Sequence, residues 1–190
     1  MQEKDILAII NFFYPEEGDL KRTLLKHSQQ VRDKALELAA RTPLTLDIQL
    51  LSAGAMLHDI GIVKCHAPGI FCTGDQHYLR HGVEGAAMLR EYGKSRGMDL
   101  ELFALICERH TGSGLTAADI SAQGLPLPQR DFLPLSPEEK LVCLADKFFS
   151  KSGDMEEKNF SAVQRSMAKF GTESSERFNQ MWEFFTFRPV

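Results

Sequence analysis

Apolar residues recur at helical spacing along almost the whole chain. Between Leu20 and Arg41 they follow three- and four-residue steps, as one face of a helix does. Similar segments lie at 5–13, 79–92, 99–109, 136–149, 160–170 and 174–185. Runs that alternate between apolar and polar residues are missing, and the turn-type pair Gly74-Asp75 has no flanking strand pattern. The pattern therefore predicts an all-α fold.

One segment, at 48–57, is apolar on nearly every side, which is typical of a helix at the centre of a bundle. Pro43 ends the helix before it, Thr45 is the expected N-cap, and Gly61 is expected to close it. The stretch 64–77 contains a proline and glycines without a sustained period and is predicted to be a loop.

Two later helix starts have clear capping signals. Thr116 and Asp119 have the spacing of a capping box for a short helix that ends at Gly124. Ser136 followed by Pro137 marks the start of the next helix, which is expected to reach residue 149. The proline-bearing connector between these helices is expected to be exposed.

The composition narrows the class of protein. A chain of 190 residues with 43% hydrophobic residues can bury a full core as a single domain, 1–190. The net charge of -4 argues against binding extended nucleic acid through a broad basic surface. Neither an apolar run of membrane-spanning length nor an export signal is apparent. We therefore expect a cytoplasmic protein, with no membrane partner, whose four cysteines are free thiols.

The histidines and two aspartates carry the chemical information. His58 and Asp59 end the most hydrophobic helix, and Asp146 lies within another apolar helix. An ionised aspartate in such surroundings needs a compensating partner, either a buried lysine or arginine or a divalent cation. Imidazole together with carboxylate suits Fe, Mn, Co, Ni or Zn. The residues therefore favour a site for a divalent transition metal.

The segment His58-Asp59-Ile60-Gly61 resembles the HDIG signature of the HD-domain superfamily, which consists largely of metal-dependent phosphohydrolases. The order of the histidines and the aspartate before and after this segment strengthens the resemblance. The resemblance covers about residues 20–150, which would form the HD core. It is similar to the small stand-alone HDIG proteins and to the symmetrical diadenosine tetraphosphate hydrolases. The resemblance implies an HD-domain helical bundle, to which two C-terminal helices at about 154–187 are added.

The resemblance also implies a set of metal ligands. His27, His58, Asp59 and Asp146 would hold one metal, and Asp59 would bridge to a second metal bound by His81 and His110. Asp59 is thus the expected catalytic carboxylate, with one or two divalent transition metals as cofactor. The implied reaction is attack of metal-activated water on a phosphate ester or anhydride, expected to be that of a nucleotide.

Four further residues are candidate substrate-binding groups, each with an alternative. Relatives of the HDIG type often have a lysine at the position that Ile62 occupies in this chain. Lys64 is the nearest lysine, and it either approaches the phosphate from a different backbone position or is a solvated loop residue. Three roles are open for His77: a general acid, an alternative metal ligand, or a loop histidine without a chemical role. Arg109 and Lys147 adjoin predicted ligands but could instead pair with surface carboxylates. His66 is expected at the surface.

Two other functions remain open at this point. One is an HD-fold di-iron oxygenase, which oxygen-dependent turnover would reveal. The other is a non-catalytic nucleotide-binding module. The aromatic C-terminal segment is expected to form core or a packing cap rather than a platform for bases, and an exposed part of it would favour a homodimer. Its members are Phe160, Phe170, Phe178, Trp182, Phe184, Phe185 and Phe187.

Overall fold

The computed structural model describes residues 1–186, and α-helices make up most of this part of the chain. The all-α prediction is confirmed. The helices are α1 (Glu3–Phe13), α2 (Asp19–Ala39), α3 (Ile48–Leu57), α4 (His81–Arg96), α5 (Glu101–Arg109), α6 (Ala117–Gln123), α7 (Pro137–Asp146), α8 (Phe160–Ala168) and α9 (Thr172–Thr186).

Helix α3 lies between two buried apolar clusters, as its uniformly apolar sequence predicts. Ala53 and Leu57 belong to a cluster shared with α1, α4 and α5. Leu51 and Ala55 belong to another cluster shared with α2, α7, α8 and α9. All four of these side chains are fully buried. Because α3 is held from both sides, the residues that follow it are placed firmly inside the molecule.

The predicted ends of α3 are wrong by a few residues. Asp47, rather than Thr45, is the N-cap, and its carboxylate accepts a hydrogen bond of 2.9 Å from the Leu50 amide. Asp47 directly precedes the helix, so its side chain reaches that free amide, whereas Thr45 lies two residues further away. The helix ends at Leu57, and Gly61 falls inside a separate 3-10 helix, Ile60–Lys64.

The predicted loop at 64–77 contains a short antiparallel pair of strands, β1 (His66–Ala67) and β2 (Cys72–Thr73). His66 pairs with Thr73, and Ala67 pairs with Cys72. Strands of two residues are too short to produce an alternating sequence pattern, so the sequence contained no signal for them. A 3-10 turn, Tyr78–Arg80, leads from this segment into α4.

The capping predictions for α6 and α7 agree with the structure. Thr116 and Asp119 form a reciprocal capping box, and Gly124 ends α6 in a left-handed conformation. The Ser136 hydroxyl accepts a hydrogen bond of 3.1 Å from the Glu139 amide, with Pro137 in the first turn. Helix α7 ends at Asp146, short of the expected residue 149.

Helices α8 and α9 pack onto the cluster that contains α2, α3 and α7. Val163 and Met167 of α8 and Phe178 and Phe185 of α9 are buried there. Phe170 and Phe184 are exposed, and Phe187 lies outside the described residues. The buried part of this aromatic segment is core, whereas the homodimer stays a prediction. None of the helices in residues 1–186 is long and apolar enough to cross a membrane.

Candidate metal centre

Six buried side chains meet where five helices come together. His27 lies within α2, His58 and Asp59 directly follow α3, and His81 is the first residue of α4. His110 directly follows α5, and Asp146 is the last residue of α7. All six are less than 9% exposed. The structure therefore brings together every residue that the sequence predicts as a metal ligand.

The first group of ligand atoms surrounds one oxygen of Asp59. Asp59 Oδ2 lies 3.2 Å from His27 Nε2 and 3.1 Å from His58 Nε2. Asp146 Oδ1 lies 2.9 Å from His27 Nε2 and 3.6 Å from His58 Nε2. These four residues offer two imidazole nitrogens and two carboxylate oxygens to a single point.

The second group surrounds the other oxygen of the same carboxylate. Asp59 Oδ1 lies 3.4 Å from His81 Nε2 and 3.4 Å from His110 Nε2. The two Nε2 atoms are 2.9 Å apart. Asp59 thus presents one oxygen to each group, which is the arrangement of a carboxylate that bridges two metal ions.

Hydrogen bonds from the opposite ring nitrogen orient three of the four histidines. The Nδ1 atoms of His58, His81 and His110 lie 2.6 to 2.7 Å from backbone carbonyl oxygens of Ala55, Tyr78 and Cys107. A carbonyl oxygen only accepts, so each Nδ1 carries a proton and Nε2 faces the centre, where it can coordinate a metal whenever the ring is neutral. His27 Nδ1 is buried without a hydrogen-bond partner among residues 1–186.

The donor set fits divalent transition metals. His58 Nε2 and both oxygens of Asp59 are buried without a well-formed hydrogen bond to any residue of 1–186. Burial without a well-formed hydrogen bond is costly for such groups, although Lys151 lies near Asp59 Oδ2, and divalent cations bound by the two groups of ligands would satisfy all three atoms. Two ligands about 2.1 Å from one metal and at right angles lie about 3 Å apart, close to the separations found here. Mixed nitrogen and oxygen donors exclude a site designed for magnesium or calcium alone.

Protonation within the cluster is uneven. Burial by itself lowers the pKa of His58, but Asp59 and Asp146 outweigh it and raise the pKa to about 9. Burial lowers the pKa of His81 to about 3 and also lowers that of His110. Burial raises the pKa of both aspartates, but nearby positive charges outweigh it. His58 and Lys151 hold the pKa of Asp59 well below its usual range. Lys147 and Lys151 do the same for the pKa of Asp146.

Two lysines adjoin the ligands. Lys147 Nζ lies 2.6 Å from Asp146 Oδ2 and donates a hydrogen bond of 3.1 Å to the His110 carbonyl oxygen. Lys151 Nζ lies 2.6 Å from Asp59 Oδ2. Lys147 was predicted from its position beside Asp146, whereas Lys151 was missed. Lys151 follows the end of α7, where no helical period indicates the direction of its side chain.

A cavity of about 490 Å³ opens beside Asp146. Its polar wall contains three lysines and three serines: Lys147, Lys151, Lys158, Ser150, Ser152 and Ser166. Its apolar wall contains Ile70, Phe149, Val163, Met167 and Phe170. The volume lies within the range of small-molecule sites. The cavity therefore combines a cationic and polar part with a larger apolar part.

The other three residues predicted to bind substrate do not line this cavity. Lys64 is exposed in the 3-10 helix, and Arg109 pairs with Glu139 at 3.0 Å. The exposed His77 precedes α4 by a 3-10 turn, where its Nδ1 accepts a hydrogen bond from the Leu79 amide. His66 is exposed, as expected. Local contacts account for Arg109 and His77, and the geometry gives Lys64 no contact with the ligands.

Comparison with known proteins gives a family match and several relatives. The sequence model of the HD domain family matches residues 24–150. An uncharacterized protein of Methanocaldococcus jannaschii is 37% identical over 126 residues, which cover 65% of this chain and 64% of that protein.

Two other relatives carry the name tRNA (cytidine(56)-2'-O)-methyltransferase. The protein of Picrophilus torridus is 34% identical over 127 residues, which cover 67% of this chain and 31% of that protein. The protein of Thermoplasma volcanium is 31% identical over 161 residues, which cover 85% of this chain and 41% of that protein. The chain thus spans less than two thirds of the length of each of these relatives.

Proposed function

The chain belongs to the HD domain family, and on that premise we propose that it is a phosphohydrolase that cleaves an ester or anhydride of a small phosphorylated substrate, namely a nucleotide. The observation that carries the proposal is the convergence of six buried histidine and aspartate side chains on the two oxygens of Asp59. A family membership alone would not require that all six be present and correctly oriented.

Each group has a role in this proposal. Bound divalent metals would supply a Lewis acid for the phosphoryl oxygens and a water of lowered pKa. Asp59 joins the two groups of ligands, and the imidazoles are fixed by their backbone hydrogen bonds. Lys147 and Lys151 lie on the cavity side of the two carboxylates, where they can hold phosphate oxygens.

The cavity supports a nucleotide-sized substrate. The lysines and serines of the cavity suit phosphate, and its apolar residues suit the organic part of the molecule. The net charge of -4 disfavours an extended polyanion, which gains its affinity from a broad basic surface. We therefore expect a small substrate that enters the cavity with its phosphate towards Asp146.

A second candidate substrate class is a phosphate group carried by RNA. Two relatives are named as tRNA methyltransferases, and this chain matches less than half of each of them. A segment that accompanies an RNA-modifying enzyme could act on an RNA-derived phosphate. The substrate panel should therefore include nucleoside 2′- and 3′-monophosphates and short RNA with a terminal phosphate.

Metal content and hydrolysis test the proposal together. The protein is purified without chelator, analysed for Fe, Mn, Co, Ni and Zn per chain, and assayed for phosphate release with and without oxygen. About two metal ions per chain and oxygen-independent hydrolysis would support it. Oxygen-dependent turnover would favour the oxygenase. A protein that binds nucleotides equally well without metal and hydrolyses none would be a binding module.

A further inference from the structure

Lys158 is a cation of the cavity without a carboxylate partner. Lys147 and Lys151, the other cations of the cavity, lie 2.6 Å from the carboxylates of Asp146 and Asp59. For Lys158, by contrast, the ion pairs of residues 1–186 include no carboxylate within 4.0 Å of the ammonium group. Its neighbour Glu157 pairs with Lys34 at 2.7 Å instead.

The backbone of Lys158 is held in place next to the metal centre. Its amide donates a hydrogen bond of 2.8 Å to the carbonyl oxygen of Phe148, in the turn that follows α7. Burial lowers the pKa of Lys158, and the nearby cations Lys147 and Lys151 lower it further against the attraction of Asp146. A half-buried ammonium beside other cations is unfavourable unless an anion joins it.

Several residues that line the cavity together with Lys158 come from the part of the chain beyond the family match. The match ends at residue 150, whereas Lys158, Val163, Ser166, Met167 and Phe170 all line the cavity. Helix α8 therefore supplies one wall of the cavity beside ligands that belong to the matched part. Residues that lie outside the matched core of a family are suited to determine which substrate is accepted.

We propose that Lys158, which precedes α8, binds a second anionic group of the substrate, beyond the phosphate at the metal centre, and thereby selects substrates with two or more phosphates. The inference rests on the proposed function. The ammonium would contact the distal phosphate, while Met167 and Phe170 would contact the organic part of the substrate. A monophosphate ester would occupy the metal centre without using Lys158.

The substitution Lys158→Gln tests this inference, with Lys169→Gln as the matched control. Lys169 is exposed directly after the end of α8 and does not line the cavity, so its replacement removes the same charge near the opposite end of that helix from Lys158. With manganese-loaded protein, we expect Lys158→Gln to raise the KM for ADP about ten-fold, and to raise the KM for p-nitrophenyl phosphate much less. Lys158→Arg should restore most of the affinity for ADP.

A binding measurement keeps this test separate from hydrolysis. We expect α,β-methylene-ADP to bind the manganese-loaded wild-type protein about ten times more tightly than the Lys158→Gln variant in isothermal titration calorimetry. If both glutamine variants bind it equally, or if the wild-type protein does not bind it, the inference is wrong. If the wild-type protein binds it through Lys158 but hydrolyses no phosphate compound, the proposed function fails while the inference stands.

Discussion

At the scale of single residues, Asp59 is the one residue that belongs to both groups of candidate metal ligands. Its two oxygens face separate groups of ligands, and both lack a well-formed hydrogen bond within residues 1–186. We expect Asp59→Ala to lose both metal ions and to lower hydrolysis more than about 100-fold, since direct ligation exceeds the second-sphere contributions to metal affinity. Elemental analysis per chain measures the first effect, and phosphate release measures the second.

The exposed His77 provides the control for this substitution. His77→Ala should keep the metal content of the wild-type protein, because His77 contacts only the local backbone. Full metal content in Asp59→Ala would contradict the bridging role. A loss of metal in both variants would point instead to a general effect on folding, which circular dichroism would reveal.

His81 and His110 belong to the second group alone. Their Nε2 atoms lie 3.4 Å from Asp59 Oδ1, whereas the first group gathers at Oδ2 and at Asp146. We expect His81→Ala or His110→Ala to reduce the content from two metal ions to about one. Retention of two ions, or loss of both, in elemental analysis would show that the groups are not separate sites.

The sequence indicates the candidate ligands far better than the cationic residues that line the cavity. His58, Asp59 and Asp146 stand out because polar residues at the ends of apolar helices need a partner. Lys151 and Lys158 stand in irregular segments after α7, where spacing does not determine a direction. Arg109 adjoins a ligand in sequence, but its side chain turns to Glu139. Sequence adjacency is a poor guide on a helix, where neighbours point about 100° apart.

At the scale of elements, Gly61 allows the 3-10 helix after Asp59 to approach α4. A Cβ atom at Gly61 would lie 2.1 Å from the His81 carbonyl oxygen and 2.3 Å from the Gly85 amide nitrogen. Backbone atoms cannot yield as a flexible side chain can. We therefore expect Gly61→Ala to lower the free energy of unfolding by about 3 kcal/mol, measured by urea denaturation.

Gly69→Ala is the corresponding control. A Cβ atom at Gly69 meets no atom within 4 Å, and the residue does not have a left-handed conformation. This substitution should change the free energy of unfolding by less than about 1 kcal/mol. If Gly61→Ala is equally harmless, the close approach is not what requires a glycine there.

An ion pair joins α6 to α9. Arg177 donates a hydrogen bond of 2.8 Å to Asp119, which is also the capping-box residue of α6. Burial raises the pKa of Asp119, but the Thr116 hydrogen bonds and Arg177 outweigh it and lower the pKa. A carboxylate with a lowered pKa stabilises the fold above its unfolded pKa, and this contribution disappears as the pH falls through the folded value.

We therefore expect Asp119→Asn to cost about 1 kcal/mol at pH 7 and almost nothing at the acidic end of the folded range. Urea denaturation at several pH values measures the difference. The exposed Glu173, also on α9, forms no ion pair within residues 1–186, so Glu173→Gln should show little effect at any pH. A cost for Asp119→Asn that does not depend on pH would mean that the charge is not responsible.

Elements with a local sequence signal could be predicted, whereas elements that depend on contacts between separate segments could not. The capping box of α6 and the Ser136 N-cap of α7 act over three residues, and the sequence predicted both correctly. The paired strands His66–Ala67 and Cys72–Thr73 depend on contacts across a loop and leave no periodic pattern. The central position of α3 in the bundle could also be predicted, since a helix that is apolar on all sides has to be covered on all sides.

At the scale of the whole molecule, the two apolar clusters hold ligands that are more than a hundred residues apart in sequence. His27 on α2 and Asp146 on α7 lie beside the cluster that α8 and α9 complete. His81 and His110 lie beside the cluster that includes α1, α4 and α5. The candidate metal centre therefore lies where both clusters meet, and we expect metal binding to be coupled to the stability of the entire fold.

The protonation of the metal-free cluster gives this coupling a pH dependence. His58 has a pKa of about 9, so it carries an extra proton at pH 7, whereas His81, with a pKa of about 3, does not. A metal binds only the neutral imidazole. Binding to the first group should therefore release about one proton from His58, and its apparent affinity should rise about ten-fold per pH unit between pH 6 and 8.

Isothermal titration of chelator-treated protein with manganese, in two buffers with different enthalpies of ionisation, measures this proton release. We expect about one proton at pH 7 in the wild-type protein and in His81→Ala, which keeps the first group, because the proton comes from His58. The metal should also raise the melting temperature more at pH 8 than at pH 6. Binding without proton release at pH 7 would mean that the ionised Asp59 and Asp146 do not hold the proton on His58.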